Sequence, residues 1–409
     1  MRRELLSVAL AIAASSCGHD ERAVPDVPIC EHLLDACAAA PAKGPAISPP
    51  ITVAPSDALP SEVVSQVSHN NLDIVWFGGR LYFAFRTAPH HFASDKVVMY
   101  VVSTEDQRSW RFETKLALGT DVREPRFLAV GGRLFLYFAV LGQNFLAFEP
   151  QGARVIERLG EAEWSAPDPI FDPSFIPWRA RNIGGTGYLI GYTGGENIYQ
   201  GTEPTVDVYF LKTHDGRSFS PVVPGRPVVL TGGGSETDFA FLDDGSLVAV
   251  VRNELGDEDR WGSKICRAEA GDLGKWTCKP DPKKYDSPLV FRGGNDVWLI
   301  GRRQLANDGN YDLFQTDLTQ EAQTTSYEAA YWKTPKRCSL WKVDPVGLTV
   351  SFVLDLPSNG DTCFASAVQL HRNSFLVYNY TSPLDGKERS WLGGQQGPTL
   401  IYQLSLTVP

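Results

Sequence analysis

The sequence predicts an all-β fold, a six-bladed β-propeller, on three observations. A unit of short apolar run, tight turn and second β-rich run recurs six times. Most copies start about 50 residues apart, the spacing of a four-stranded blade. Each copy is followed by a third alternating run.

The paired runs are DIVWFGGRLYFAFR (73–86), PRFLAVGGRLFLYF (125–138) and RNIGGTGYLIGY (181–192), then DFAFLDDGSLVAVVR (238–252), SPLVFRGGNDVWLIGRR (287–303) and SAVQLHRNSFLVYNY (366–380). GG, DDG, RGGN and HRN at the junctions are hairpin-turn chemistry. The third runs are KVVMYVVS, QNFLAFEP, VDVYFLKT, GSKICRAE, CSLWKVD and TLIYQLSL. The fifth blade is longer, with an insertion within 316–336. The sixth copy stops at a third run, and an open strand edge is a liability. ITVAP (51–55) is expected to supply the missing outer strand and close the ring. A pair of packed sheets does not account for six copies of one unit.

Three segments are expected: an export signal at 1–16, an Ala/Pro-rich tether at 17–50 and the propeller at 51–409. Arg2 and Arg3 precede an apolar stretch at 5–14 that is too short to span a bilayer. Ala14, Ser15 and Ser16 precede Cys17 as small residues precede the cysteine of a bacterial lipobox, so Cys17 is the expected lipidation site. The protein is then exported and held to the cell envelope, touching membrane only through that lipid. Of seven cysteines, removing Cys17 leaves six. Local spacing suggests Cys30–Cys37, Cys266–Cys278 and Cys338–Cys363, one of 15 possible pairings.

A net charge of −10 with interspersed signs leaves no basic face, which excludes nucleic acid as a partner. No cysteine spacing matches a zinc or redox motif, and no phosphate loop or nucleophile elbow occurs, so no cofactor or metal is expected. The acidic run Asp257-Glu258-Asp259 reads as a solvated loop rather than a calcium site, and His90-His91 as contact or surface residues.

THDGRSF (213–219) fits the Asp-box pattern S/T-x-D-G-x-T/S-W/F, with STEDQRSW (103–110) a degraded copy and AGDLGKWTC (270–278) a looser one. Asp boxes on six blades resemble the sialidase (BNR-repeat) superfamily over about residues 51–409. The boxes are structural and face away from any active site.

In any propeller the starts of the first strands and the ends of the second strands converge on the axis at one face. Here those positions carry His69-Asn70-Asn71-Leu72-Asp73, Arg123-Glu124, Arg179-Ala180-Arg181, Ser235-Glu236-Thr237-Asp238, Tyr285-Asp286, Asp361-Thr362-Cys363-Phe364 and the arginines Arg86, Arg252 and Arg302. The last three share one repeat position. Guanidinium forks grip carboxylates, and carboxylates act as acid and base when their surroundings separate their pKa values. Arg86, Arg123, Arg181, Arg252, Arg302 and His91 are therefore candidate ligand contacts. Asp73, Asp95, Glu236, Asp238 and Tyr285 are candidate catalytic groups.

The sialidase resemblance implies an arginine grip on a sugar carboxylate, a tyrosine nucleophile paired with a glutamate, and an aspartate acid. It maps the acid to Asp95, the glutamate to Glu236, and grip residues to Arg252 and Arg302. The family's Arg-Ile-Pro reads Asp73-Ile74-Val75 here, and its tyrosine position holds Phe364, with Tyr285 and Tyr380 as other tyrosines. The expected function is that of a surface glycoside hydrolase-like protein acting on an anionic glycan. The alternative is a non-catalytic, lectin-like propeller.

Overall fold

The computed structural model describes residues 44–144, 147–198 and 205–409. The export signal, Cys17 and the Cys30–Cys37 pair lie outside these residues.

Six antiparallel sheets form six blades, each running outward from the axis in chain order. Blade one is Ser68–Phe77, Arg80–Ala88, Val98–Thr104 and Trp110–Leu116. Blade two is Asp121–Val130, Arg133–Leu141 and Pro150–Gly160, edged by Glu163–Trp164 and Asp168–Ile170. Blade three is Ile176–Ile183, Thr186–Thr193 and Val206–Thr213, edged by Ser220–Pro221 and Val228–Gly232. Blade four is Gly234–Phe241, Leu247–Asp257, Arg260–Ala268 and Thr277–Asp281. Blade five is Leu289–Gly293, Asp296–Gln304, Lys336–Asp344 and Thr349–Leu356. Blade six is Ser366–His371, Ser374–Thr381 and Leu400–Thr407, and Ile51–Ala54 and Ala46–Ile47 pair antiparallel with its last strand. The N-terminal strand therefore closes the ring, as the sequence predicts.

The hairpin turns explain the first two runs of each unit. At Gly78-Gly79 both φ angles are positive, +56° and +78°, and a Cβ at either position would meet nothing within 4 Å. Backbone conformation rather than space therefore calls for glycine in these turns. The core lies between blades, where apolar side chains from facing sheets interdigitate. Phe83, Phe85 and Tyr100 of blade one meet Tyr378 and Tyr380 of blade six in one cluster.

One strand is displaced from its expected place. The third strand of blade two starts at Pro150, the last residue of the expected run QNFLAFEP (143–150), and the described residues 143, 144 and 147–149 of that run lie outside any strand. The alternation read there has another cause, because Ala147 and Phe148 face a cavity. The insertion in blade five is a helix, Gln320–Lys333, whose N-cap Thr319 Oγ1 accepts from Ala322 N at 3.3 Å.

Cys266 and Cys278 lie directly opposite in the blade-four ladder and are bridged, and Cys338 is bridged to Cys363. The Asp boxes are satisfied turns. Asp215 Oδ1 accepts from Arg217 N (2.8 Å) and Ser218 N (2.7 Å), while Phe219 packs edge-on against Tyr137. Asp106 repeats this with Arg108 N (2.8 Å) and Ser109 N (2.7 Å), and Trp110 packs on Phe83. The degraded copy thus keeps the complete geometry. Asp272 is looser, accepting from Gly274 N at 3.2 Å.

Candidate functional site

The first strands are irregular where they begin. The ladder skips Asn71 in blade one, Glu124 and Pro125 in blade two, Trp178 in blade three, and Ser235 and Glu236 in blade four. Asn71, Glu124, Ser287 and Cys363 have φ of +40°, +53°, +51° and +80°. Non-glycine residues in this left-handed region are strained, and bulges re-aim side chains at sites. Four such irregular positions, Asn71, Glu124, Glu236 and Ser287, line one axial cavity of about 330 Å³.

Phe92, Phe148, Tyr192, Trp332, Phe364 and Trp391 supply aromatic surface to this cavity. Its acidic and basic side chains are His91, Arg123, Glu124, Glu236, Arg252, Arg302 and Glu328. Glu328 and Trp332 come from the inserted helix, and Trp391 from a short helix at Trp391–Gln395.

Charges here are deeply placed and paired. Arg252 Nη1 lies 3.0 Å from Glu236 Oε1 and 3.1 Å from Glu254 Oε2. Glu236 Oε2 accepts from Ser287 N at 2.7 Å. Burial pushes the Glu236 carboxyl up, against the pull of Arg252. Burial also pushes Glu124 up to about 7, opposed by Arg126 and reinforced by Glu236. Glu328 rises to about 8 through burial and the neighbouring Glu254. Burial would raise Asp286 too, but Lys284, Arg302 and Arg252 together hold it at about 2. Arg302 Nη1 bonds Asp286 Oδ2 at 2.7 Å, its Nε donates to Thr362 O at 2.7 Å, and its guanidinium lies 5.0 Å from the Trp391 ring.

His91 Nδ1 meets Asp361 Oδ2 at 2.6 Å, and Tyr380 OH donates to Asp361 Oδ1 at 2.8 Å. Burial lowers the His91 pKa, with Asp361 opposing. A neutral ring that donates from Nδ1 keeps Nε2 as a basic nitrogen. The arrangement can supply a proton from a neutral carboxyl, accept one on imidazole, and hold an anion or a polar ring against aromatic faces.

No family model matches the chain, and no curated protein matches it. Solved structures do. A protein of unknown function from Dyadobacter fermentans DSM 18053 matches with a TM-score of 0.60 and 14% identity, covering 90% of this chain and 100% of that one. Trypanosoma rangeli sialidase in complex with sialic acid matches at 0.54 and 11%, covering 90% of this chain and 60% of that one. The same sialidase with the inhibitor DANA matches at 0.53 and 12%, covering 83% and 55%. The propeller has the sialidase fold. At these identities the likeness is one of architecture, and this chain spans about 60% of the sialidase's length.

Within this sialidase-fold propeller the sequence candidates separate into two groups. Glu236, Arg123, Arg252, Arg302 and His91 meet in the cavity. Asp73, Asp95, Asp238, Tyr285, Arg86 and Arg181 are not among its lining residues. Asp73 accepts from Phe127 N (2.7 Å) and Ser366 Oγ (2.6 Å), tying blades one, two and six. Asp238 ties blades three, four and five through Arg179, Arg181 and Val290 N. Tyr285 is buried against Trp341 and donates to Asp281 Oδ2 at 2.9 Å. Arg86 is fully buried, with donors used by Asp121 (3.0 Å), Asn70 (3.1 Å) and Phe92 O (2.9 Å). The shared repeat position therefore brings Arg252 and Arg302, but not Arg86, to the axial pocket. Asp95 is exposed on its loop. In the acidic run, Lys264 Nζ sits between Asp257 Oδ2 (2.7 Å) and Asp259 Oδ2 (2.8 Å), where a cation would bind.

Glu124 stood beside Arg123 in the sequence without being singled out. Glu328, Trp332 and Trp391 were not legible at all. The helix that carries Glu328 and Trp332 buries Gln323, Thr324, Tyr327 and Tyr331, a polar and tyrosine face with no apolar stripe.

Proposed function

We propose that this propeller is a glycoside hydrolase whose axial pocket takes an acidic sugar of an anionic glycan. One observation carries the reading. The Glu124 carboxyl, which burial pushes up to about 7, an aspartate-oriented histidine and two carboxylate-paired arginines converge in one aromatic-walled cavity. Pairs of titratable groups pushed in opposite directions mark acid and base. Glu124 is the general acid toward the glycosidic oxygen, and His91 Nε2 activates the water. Arg252 and Arg302 hold the anionic group, while the Trp332, Trp391 and Phe148 rings cover the sugar's apolar faces. Activity then peaks between the lowered pKa of His91 and about pH 7.

The test is a panel of aryl glycosides and a glycan array, followed by calorimetry. Hydrolysis of an acidic glycoside that Glu124→Gln reduces at least a hundredfold is expected. Binding of neutral sugars alone would sink the anionic reading. One observation favours a second, lectin-like reading: Phe364 lines the pocket at the position where the resemblance expects the tyrosine nucleophile. Binding of acidic glycans without turnover of any glycoside selects it.

We further propose, from the N-terminal sequence, that Cys17 carries a lipid and anchors the exported protein. No helix among the described residues is long and apolar enough to cross a membrane. Cys17→Ser should release the protein from the membrane fraction, and unchanged retention would refute the anchor.

A further inference from the structure

Beneath the pocket lies a guanidinium that the proposed chemistry does not use. Arg126 is 1% exposed, and its Nε, Nη1 and Nη2 have no hydrogen-bond partner among the described residues. The Phe364 and Trp178 ring centroids lie 4.4 and 4.8 Å from its Cζ and 5.6 Å from each other, so both rings pack against the same side of it. Ring contacts satisfy none of its N–H donors, which point outward along the edge of the guanidinium plane. The nearest carboxylate oxygen, Glu124 Oε2, is 3.7 Å from Nη2, too far for a hydrogen bond, and is itself buried and unpartnered. Trp178 Nε1 is a further buried donor without an acceptor. Buried donors left unmatched are costly, and a charged one most of all.

The local charge balance points the same way. Arg126 is surrounded by Arg179, Asp73, Glu124 and Asp238, and Arg181 shares Asp238 with Arg179. With Glu124 neutral, three guanidinium cations face two carboxylates, Asp73 and Asp238. Both of those carboxylates are already engaged by neighbouring backbone amides.

We propose that the edge of Arg126 is a buried binding site for one compact monovalent anion, either a free halide or formate or the carboxylate of a bound ligand. Glu124 gates it. Ionised, its carboxylate competes for Arg126; protonated, its hydroxyl becomes another donor to the anion. The charged groups acting on Glu124 are Arg126 and Arg123 from its own strand, and Glu236 and Arg252 from blade four. Anion affinity therefore falls as pH rises through about 7.

The test uses the full chain with sodium chloride and sodium formate, against sodium gluconate at equal ionic strength. A saturable rise in Tm of about 2 °C with chloride and formate is expected, absent with gluconate. It should vanish in Arg126→Met. Equal responses to all three salts, or a chloride response retained in Arg126→Met, would overturn the site. If Arg126→Met does not fold, Glu124→Gln decides. The wild type should bind chloride at least threefold more weakly at pH 8 than at pH 6, and the variant equally at both. A pH dependence that survives in Glu124→Gln overturns the gate. Sodium glucuronate that displaces chloride identifies a sugar carboxylate as the occupant, and methyl glucoside should not displace it. Chloride binding is measured without any glycan, so its failure is separate from failure of the proposed hydrolase reading.

Discussion

The two ends of the propeller use acidic side chains in opposite ways. At the Asp-box end, Asp215 and Asp106 lie near the surface and accept two turn amides each, which holds Asp215 well below the usual carboxylate range and lowers Asp106 as well. At the pocket end, Glu236 is buried and Glu124 and Glu328 are half-buried, and desolvation pushes all three up. A carboxylate that finishes a turn is ionised and inert. One that a bulge turns into a buried cavity becomes chemically available near neutral pH. The same contrast divides the arginines of one repeat position: Arg86 closes a sealed network, and Arg302 faces the pocket.

The sharpest way to break that contrast is at the arginines. Arg302→Met takes the nearest guanidinium from buried Asp286, which keeps Tyr331 OH at 2.7 Å and Lys284 Nζ at 3.5 Å, a loss of about 3 kcal/mol in denaturant melts, and it should also abolish glycan binding. Arg86→Met takes one of two guanidinium partners from Asp121, leaving Arg123, and should cost about 2–3 kcal/mol, yet calorimetry on the folded fraction should find glycan binding unchanged. Equal binding defects in both would erase the distinction.

Glu124→Gln has the next largest effect. A carboxyl raised from 4.5 to about 7 on folding contributes stability that is full below 4.5 and is lost as pH rises through 7. The wild type should therefore lose about 2–3 kcal/mol from this group between pH 5 and 8, and the glutamine variant should lack that loss. Chemical denaturation at the two pH values measures the difference. Glu328, raised to about 8, adds a similar slope that the variant retains.

Asp215→Ala should matter least, costing about 1–2 kcal/mol through the two orphaned turn amides. Ligand affinity and its pH profile should not move. A binding defect in this variant would mean that the two ends are coupled.

The fold was legible because its signals are local. Paired glycines at positive φ, apolar alternation and the Asp-box turns each act over a few residues and repeat. The segment 143–150 misled for an instructive reason: Phe148 is apolar because it faces a cavity, and alternation alone does not distinguish a cavity wall from a strand. The site was only half legible. Converging strand ends brought Glu236, Arg252, Arg302, Arg123 and His91 to notice. They did not distinguish Asp73 and Asp238, whose carboxylates turn sideways to neighbouring blades and accept their amides. That choice depends on which residue the bulge skips, and no sequence pattern marks the bulges. Glu328 and Trp332 arrive on an inserted helix that no repeat predicts.

Ring closure has a consequence in time. Ser405 N donates to Ser48 Oγ across a separation of 357 residues, and Ile51–Ala54 can dock only once Leu400–Thr407 exists. At about 5–20 residues per second, the first-made strand waits on the order of 20–70 s for its partner during synthesis. Through that interval blades one to five can assemble by local hairpins, while the seam between blades six and one stays open. The aromatic cluster at that seam, Phe83, Phe85, Tyr378 and Tyr380, is thus the last part of the core to leave water, and the most exposed to a wrong partner until it does.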